Sequence, residues 1–227
     1  MSHDLSPKMR DYLAEVYRLS DRERSDGTPG DYVSTSELAD VLDVSAPAVN
    51  RMVTKLRDLG LLEHEPYQGI NLTDAGRKEA LIALRRHRIA EAFLVKVMDF
   101  SWHEVHHEAA LMASALSDAL TDRMQVMAGD PHYCPHGEPI PTKTGDVEHL
   151  DDHLLSKAPE SVPLQVSRVL TREPERLEYI AALQLTPGAD LTVIHIAPFN
   201  GPMQLKVGEE YRIIGHNLAE LIRVKTI

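Results

Sequence analysis

Apolar and polar positions along the chain fall into three textures. In residues 1–74 short apolar sets at helical spacing alternate with polar breaks. Tyr12, Leu13, Val16, Tyr17 and Leu19 predict a first helix from about Pro7. Ser20 to Asp31 carries Gly, Pro and charge but no apolar residue, and is predicted to be a loop. Ser36 is expected to cap a helix through Glu37, Leu38, Ala39, Val41 and Leu42. Ser45 is expected to cap the next, with Pro47 in its first turn, where a missing N–H costs little. That helix places Val49, Met52, Val53 and Leu56 on one face and stops at Gly60. Leu61–His64 and Ile70–Leu72 read as strands around a turn with Pro66, Gln68 and Gly69.

The second texture, residues 75–145, is helical, with a long amphipathic helix from Asp74 to Val97 and another from Trp102 to about Met127, capped by Ser101. Six of the 14 prolines fall in residues 129–163, which read as loop, a short helix near Asp146 to Ser156, and a linker over 146–163. From Leu164 to the C-terminus the pattern becomes β-like: LQVSRVL, LTVIHIA, MQLKVG and EYRIIG are strand candidates, with a helix over Pro174–Leu183 and a closing segment over Leu218–Val224. The expected fold class is mainly α with small β elements.

Composition narrows the function. The 227 residues carry 24 Lys+Arg against 35 Asp+Glu, a net charge of −11, which disfavours nonspecific nucleic-acid binding but leaves room for a local reading surface. Aromatic content of 5% argues against a stacking platform for single strands. A single cysteine, Cys134, excludes a disulfide framework and fits a reducing cytoplasm. No apolar run approaches the roughly 18 residues of a membrane span, and the N-terminus lacks a signal peptide, so a cytoplasmic protein is expected. Histidine stands out: eight of the 12 lie between His87 and His153.

Two helices separated by a tight turn at Asp43-Val44 and followed by two strands make a helix-turn-helix with a wing. The second helix of such a unit enters the major groove. Its outward residues are Ser45, Pro47, Ala48, Asn50 and Arg51; Asn pairs with adenine, Arg with guanine, and Pro and Ala offer apolar contact to thymine methyls. Ser34 and Thr35, with Ser36, stand where the preceding helix would meet phosphates. The bland alternative is a helical bundle with Asn50 and Arg51 simply solvated. Residues 1–74 hold eight basic and 14 acidic side chains, so tight binding calls for a dimer or a bound cation.

Metal chemistry is the second candidate. His87 and Glu91 are four apart on one helix and share a face. His106 and His107 lie on the next helix, near His103 and Glu108, and Cys134-Pro135-His136 forms a compact two-donor unit on the following loop. Carboxylate, imidazole and thiolate together suit borderline first-row divalent cations. There is no Cys pair of a structural zinc finger. Nor is there an H-E-x-x-H helix, a phosphate loop or a nucleophile motif, so catalysis is not expected.

Residues RRHRIAEAFL (Arg85–Leu94), SWHEVHHEA (Ser101–Ala109), the loop Cys134-Pro135-His136-Gly137-x-Pro139-Ile140-Pro141 and LQLTPGADLTVI (Leu183–Ile194) resemble the diphtheria toxin repressor family. The likeness runs along essentially the whole chain. It implies a homodimeric, metal-activated repressor with a winged helix, a helical dimerisation and metal domain, and a C-terminal SH3-like domain. It places His87, Glu91 and His106 on one family metal site, with Cys134 and His136 matching loop donors of some manganese-responsive members. Glu173 is the candidate acidic donor from the SH3-like domain. Asp11 matches a donor of a second family site. The rest of that site reads Ala110-Leu111-Met112-Ala113-Ser114, without ligands at the expected places. Iron-type members carry Met and Cys where this chain has Asp11 and Ala110, so Mn²⁺ is favoured over Fe²⁺. The rival readings are an iron-dependent repressor, and a metal-free winged-helix sensor in which Cys134 oxidises.

Overall fold

In the computed structural model, residues 5–25, 32–65 and 67–227 are described, the side chains of 22–25 excepted. The helices are α1 (Pro7–Ser25), α2 (Thr35–Val41), α3 (Ala46–Asp58), α4 (Asp74–Met98), α5 (Val105–Ala113), α6 (Asp118–Met127), α7 (Pro174–Ala182) and α8 (His216–Ala219). The strands are β1 (Leu62–Glu65), β2 (Gly69–Leu72), β3 (His153–Leu154), β4 (Pro163–Val169), β5 (Asp190–Ile196), β6 (Met203–Val207), β7 (Glu210–Ile214) and β8 (Ile222–Thr226). Two compact units result: residues up to 87 with 141–147, and residues 88–140 with 148–227.

The first unit is built around buried Tyr12, Leu13 and Val16 of α1, Leu38 of α2, Val49, Val53 and Leu56 of α3, Ile70 of β2, and Leu81 and Leu84 of α4. One face of α3 is therefore consumed by core, and Asn50, Arg51, Thr54 and Lys55 are left outside. β1 and β2 pair antiparallel, Leu62 opposite Leu72. Val33 bridges to β2 outside this ladder, exchanging backbone hydrogen bonds with Ile70 at 2.8 and 2.9 Å. Two expectations change here. Ser34, not Ser36, caps α2, its hydroxyl accepting from the Ser36 N–H, because the helix begins two residues earlier, at Thr35. The expected loop from Ser20 is helical through Ser25: Arg and Glu favour helix, and the buried Ser20 hydroxyl donates to the Tyr17 carbonyl at 3.0 Å. Residues 26–31 of that loop, and Pro66 of the wing turn, lie outside the described residues.

The second unit joins the later helices to an all-antiparallel sheet of order β3-β8-β4-β5-β6-β7. Leu164, Val166, Leu177, Ile180, Val193, Leu205 and Val224 form its β core, with Trp102 packed against it. The helix expected from Trp102 to Met127 is two helices. Ser117 caps α6 by accepting from the Leu120 N–H, which resets the backbone after Ala113. As a result Val105, Ala109 and Leu116 are buried in this unit's own helical core. The large apolar residues left exposed on α5 and α6 are Leu111, Leu120, Val126 and Met127. The helix expected near Asp146 to Ser156 is also absent; His153–Leu154 instead pairs antiparallel beside β8 as an edge strand, followed by a single 3₁₀ turn.

A bulge explains the change at Asp152. In β4 the register against β8 shifts between Val166 and Arg168, so Arg168 and Arg223 stand opposite each other, both buried. Two like charges side by side require an anion, and Asp152 supplies it. Its Oδ2 accepts from Arg168 Nε at 2.9 Å and its Oδ1 from Arg223 Nε at 2.6 Å. Pinning Asp152 there holds the chain extended into β3.

Candidate metal centre and nucleic-acid interface

The donor loop is set by its own turn. The Gly137 N–H donates to the Cys134 carbonyl at 2.9 Å, closing a four-residue turn with Pro135 second and Gly137 fourth, the pattern favoured in type I turns. Gly137 has φ +85°, and a Cβ there would lie 2.1 Å from the Ser167 carbonyl oxygen, so the loop lies flush on β4. The Val169 N–H completes the seam, donating to the His136 carbonyl at 2.9 Å.

This turn delivers Cys134 and His136 to Glu91, and all three are buried. One ligand atom from each lies within 4.8 Å of the others; His87, Glu91 and His106 satisfy the same condition. Glu91 belongs to both groups. A carboxylate only accepts, so His106 Nδ1 donates to Glu91 Oε1 at 2.9 Å. His136 Nε2 donates to the Trp102 carbonyl at 2.8 Å, while its Nδ1 faces Glu91 Oε1 at 3.5 Å. The Trp102 ring lies against the imidazole with centroids 5.3 Å apart. A backbone acceptor on Nε2 fixes the ring and turns Nδ1 toward the donors, as partners behind a metal-ligating histidine do.

Electrostatics agree. Burial pushes the Cys134 thiol up and Glu91 adds to this, against the hydrogen bond to His136 and the charges of His136 and Arg88. Burial alone would lower His136, but its hydrogen bonds to Cys134 and Glu91, with their charges, push it up to about 10. A cationic imidazolium thus balances the buried Glu91 carboxylate. The set of carboxylate, thiol and imidazoles fits a divalent first-row cation, which would take over that balancing charge.

Two expected donors stand elsewhere. Glu173 precedes α7, its side chain is 62% exposed, and it pairs with Arg176 at 2.7 Å. Asp11 is exposed on α1, where burial of part of its carboxyl and the charge of Glu15 push its pKa up against the pull of Arg18. Neither joins a group of three or more donors among the described residues. His132, His107 and Glu108 are exposed and also outside both groups. The sequence reading missed Glu138, Arg88 and the Trp102 carbonyl. Glu138 occupied an unassigned place in the loop motif, and a backbone acceptor leaves no trace in sequence.

At the candidate interface, Ser45, Pro47, Asn50 and Arg51 are exposed at the start of α3, and Ala48 is half-buried. Ser34 is exposed and Thr35 half-buried at the start of α2. Tyr67, fully exposed at the wing turn, extends the same unit. Among the described residues no helix is long and apolar enough to cross a membrane.

The model of the iron dependent repressor N-terminal DNA binding domain matches residues 4–70, and that of the iron dependent repressor metal binding and dimerisation domain matches residues 73–142. The FeoA domain model matches residues 153–226. A solved manganese-dependent transcriptional repressor in complex with manganese is 31% identical, with a TM-score of 0.87 over 96% of this chain and 100% of that one. The chain belongs to the diphtheria toxin repressor family. The iron-dependent repressor IdeR of Mycobacterium tuberculosis is 29% identical over 228 residues, 95% of this chain and 96% of IdeR. The manganese regulator SloR is 27% identical, with a TM-score of 0.80 over 98% of this chain and 100% of that one. This family member is a metal-dependent, DNA-binding transcriptional regulator and not an enzyme, and its SH3-like expectation corresponds to the FeoA domain.

Proposed function

We propose that the protein is a homodimeric, cytoplasmic repressor of metal-uptake genes that binds operator DNA when Mn²⁺ is held by Glu91, Cys134 and His136, with His87 and His106 alongside. The observation that carries this is the buried convergence of those donors on Glu91. A divalent cation bound there supplies the positive charge that His136 otherwise provides. Glu91, Cys134 and His136 would hold it, with the Trp102 carbonyl orienting the His136 ring. α4 begins two residues after the wing strand and carries both His87 and Glu91, so the donors sit on the helix that continues from the DNA-reading unit. Asn50 and Arg51 read base edges; Ser34, Thr35 and Ser45 contact phosphates; and Pro47 and Ala48 meet thymine methyls. A second copy covers Leu111, Leu120, Val126 and Met127.

Fe²⁺ is the second reading, supported by the name of IdeR and by a donor set that also suits iron. A redox sensor without metal is disfavoured, because Cys134 is buried and its thiol pushed up, the reverse of a reactive cysteine. Gel-shift titration of operator fragments with Mn²⁺, Fe²⁺ or neither tests the proposal. Binding that is equally tight without metal overturns it.

A further inference from the structure

Glu138 is the acidic residue of the Cys134–Pro141 loop, and it lies among buried arginines rather than among the donors. Its Oε2 accepts from Arg88 Nη2 on α4 at 2.7 Å, and its Oε1 lies 3.5 Å from Arg168 Nη1 on β4. Arg88 Nη1 also donates to the Pro139 carbonyl at 2.6 Å. Arg168 continues the chain to Asp152 and Arg223. Arg88 and Arg168 are both buried, so their charges need a fixed anion. Arg88 precedes Glu91 by less than one helical turn, and Arg168 is next to Val169, which holds the His136 carbonyl. Glu138 therefore joins the helix that carries the carboxylate donor to the strand that supports the imidazole donor.

We propose that Glu138 is a positioning residue for the metal centre: bound to Arg88 and Arg168, it locks the Cys134–His136 turn between α4 and β4, so that thiol and imidazole stand beside Glu91 before a cation arrives. This rests on the reading of Glu91, Cys134 and His136 as metal donors. It makes the FeoA-type sheet part of the metal centre although β4 contributes no ligand. Glu138 belongs to neither donor group, so its effect on metal passes through the loop.

The test uses the full chain and Co²⁺, whose charge-transfer absorption with a thiolate reports the bond to Cys134. Glu138→Gln keeps the side-chain shape and removes the charge. It should bind Co²⁺ about 10- to 100-fold more weakly, the range for partners behind a ligand. Its thiolate band per bound Co²⁺ should be weakened while the far-ultraviolet circular dichroism is unchanged. If Glu138→Gln does not fold, Arg168→Lys, which keeps the charge but cannot serve Glu138 and Asp152 together, should show the same weakened band. Wild-type affinity and a full band in either folded variant overturn the proposal, as does failure of both to fold, which would make the link purely structural. Cys134→Ser is the control: it should abolish the band. A band that survives in Cys134→Ser instead refutes the donor reading, and the positioning role falls with it.

Discussion

Replacing Asp152 by asparagine asks how much the buried charge bridge contributes to the second unit. The Asp152 side chain is 1% exposed, and each of its oxygens accepts twice. Oδ1 receives Arg223 Nε and Arg168 Nη2; Oδ2 receives Arg168 Nε and the Ser167 hydroxyl. Whichever way an asparagine amide turns, its NH₂ points at two donors, and both arginines lose their anion. Removing one partner of a buried ion pair costs about 3–5 kcal/mol. At roughly 2–4 °C per kcal/mol for a chain of this size, Tm should fall by about 6–20 °C. The pH dependence has a definite sign. Burial pushes the Asp152 carboxyl up, but Arg168, then the hydrogen bonds from Arg168, Arg223 and Ser167, outweigh it and hold it below its ordinary 3.8. A depressed carboxyl contributes stability that is complete above the unfolded value and is lost as pH falls through the folded one. The gap between wild type and Asp152→Asn should therefore be constant near neutrality and close below about pH 4. Melting by circular dichroism across that range decides the matter. A shift under about 2 °C at pH 7, or a gap that persists in acid, would refute the bridge as a source of stability.

The remaining predictions concern function. Arg51→Ala should lower operator affinity by roughly 1–3 kcal/mol and relax sequence preference, with Asn50→Ala behaving alike, since each removes a bidentate base contact; gel-shift titrations showing wild-type binding by both would place the reading surface elsewhere. Glu91→Ala or His87→Ala should weaken Mn²⁺-dependent operator binding far more than Asp11→Ala, because Glu91 serves both donor groups and Asp11 neither. Calorimetry on the three variants checks this, and the opposite order would move the sensing site to α1. Leu120→Glu should yield monomers in analytical ultracentrifugation at micromolar concentration, and an unchanged dimer would exclude that face of α6.

Much of the fold was legible because the deciding information is local. The spacing of Val49, Val53 and Leu56 dictates α3, and alternation over Pro163–Val169 gives β4. What was missed depends on distant partners or on competing local signals. Residues 146–156 are polar enough to read as helix, yet Asp152 is drawn out by arginines 16 and 71 positions away. The break between α5 and α6 turns on Ser117 acting as a cap within an otherwise continuous apolar periodicity. At the site, the i,i+4 pair His87 and Glu91 and the Cys-Pro-His turn were readable as donors. Their convergence on Glu91, and the role of Glu138, required the fold.

In the proposed reading, the closure of the donor cluster would set a tempo for the regulator. Glu91, Cys134 and His136 are each no more than 6% exposed, and the turn that covers them is sealed to β4 at Gly137 and Val169. Exchange of an ion held there would be slowed by the rarity of a local opening of that seam. A sensor with such a latch would not follow each fluctuation in its surroundings. It would average them over the lifetime of the closed turn, so gene control would answer sustained metal sufficiency and ignore brief pulses.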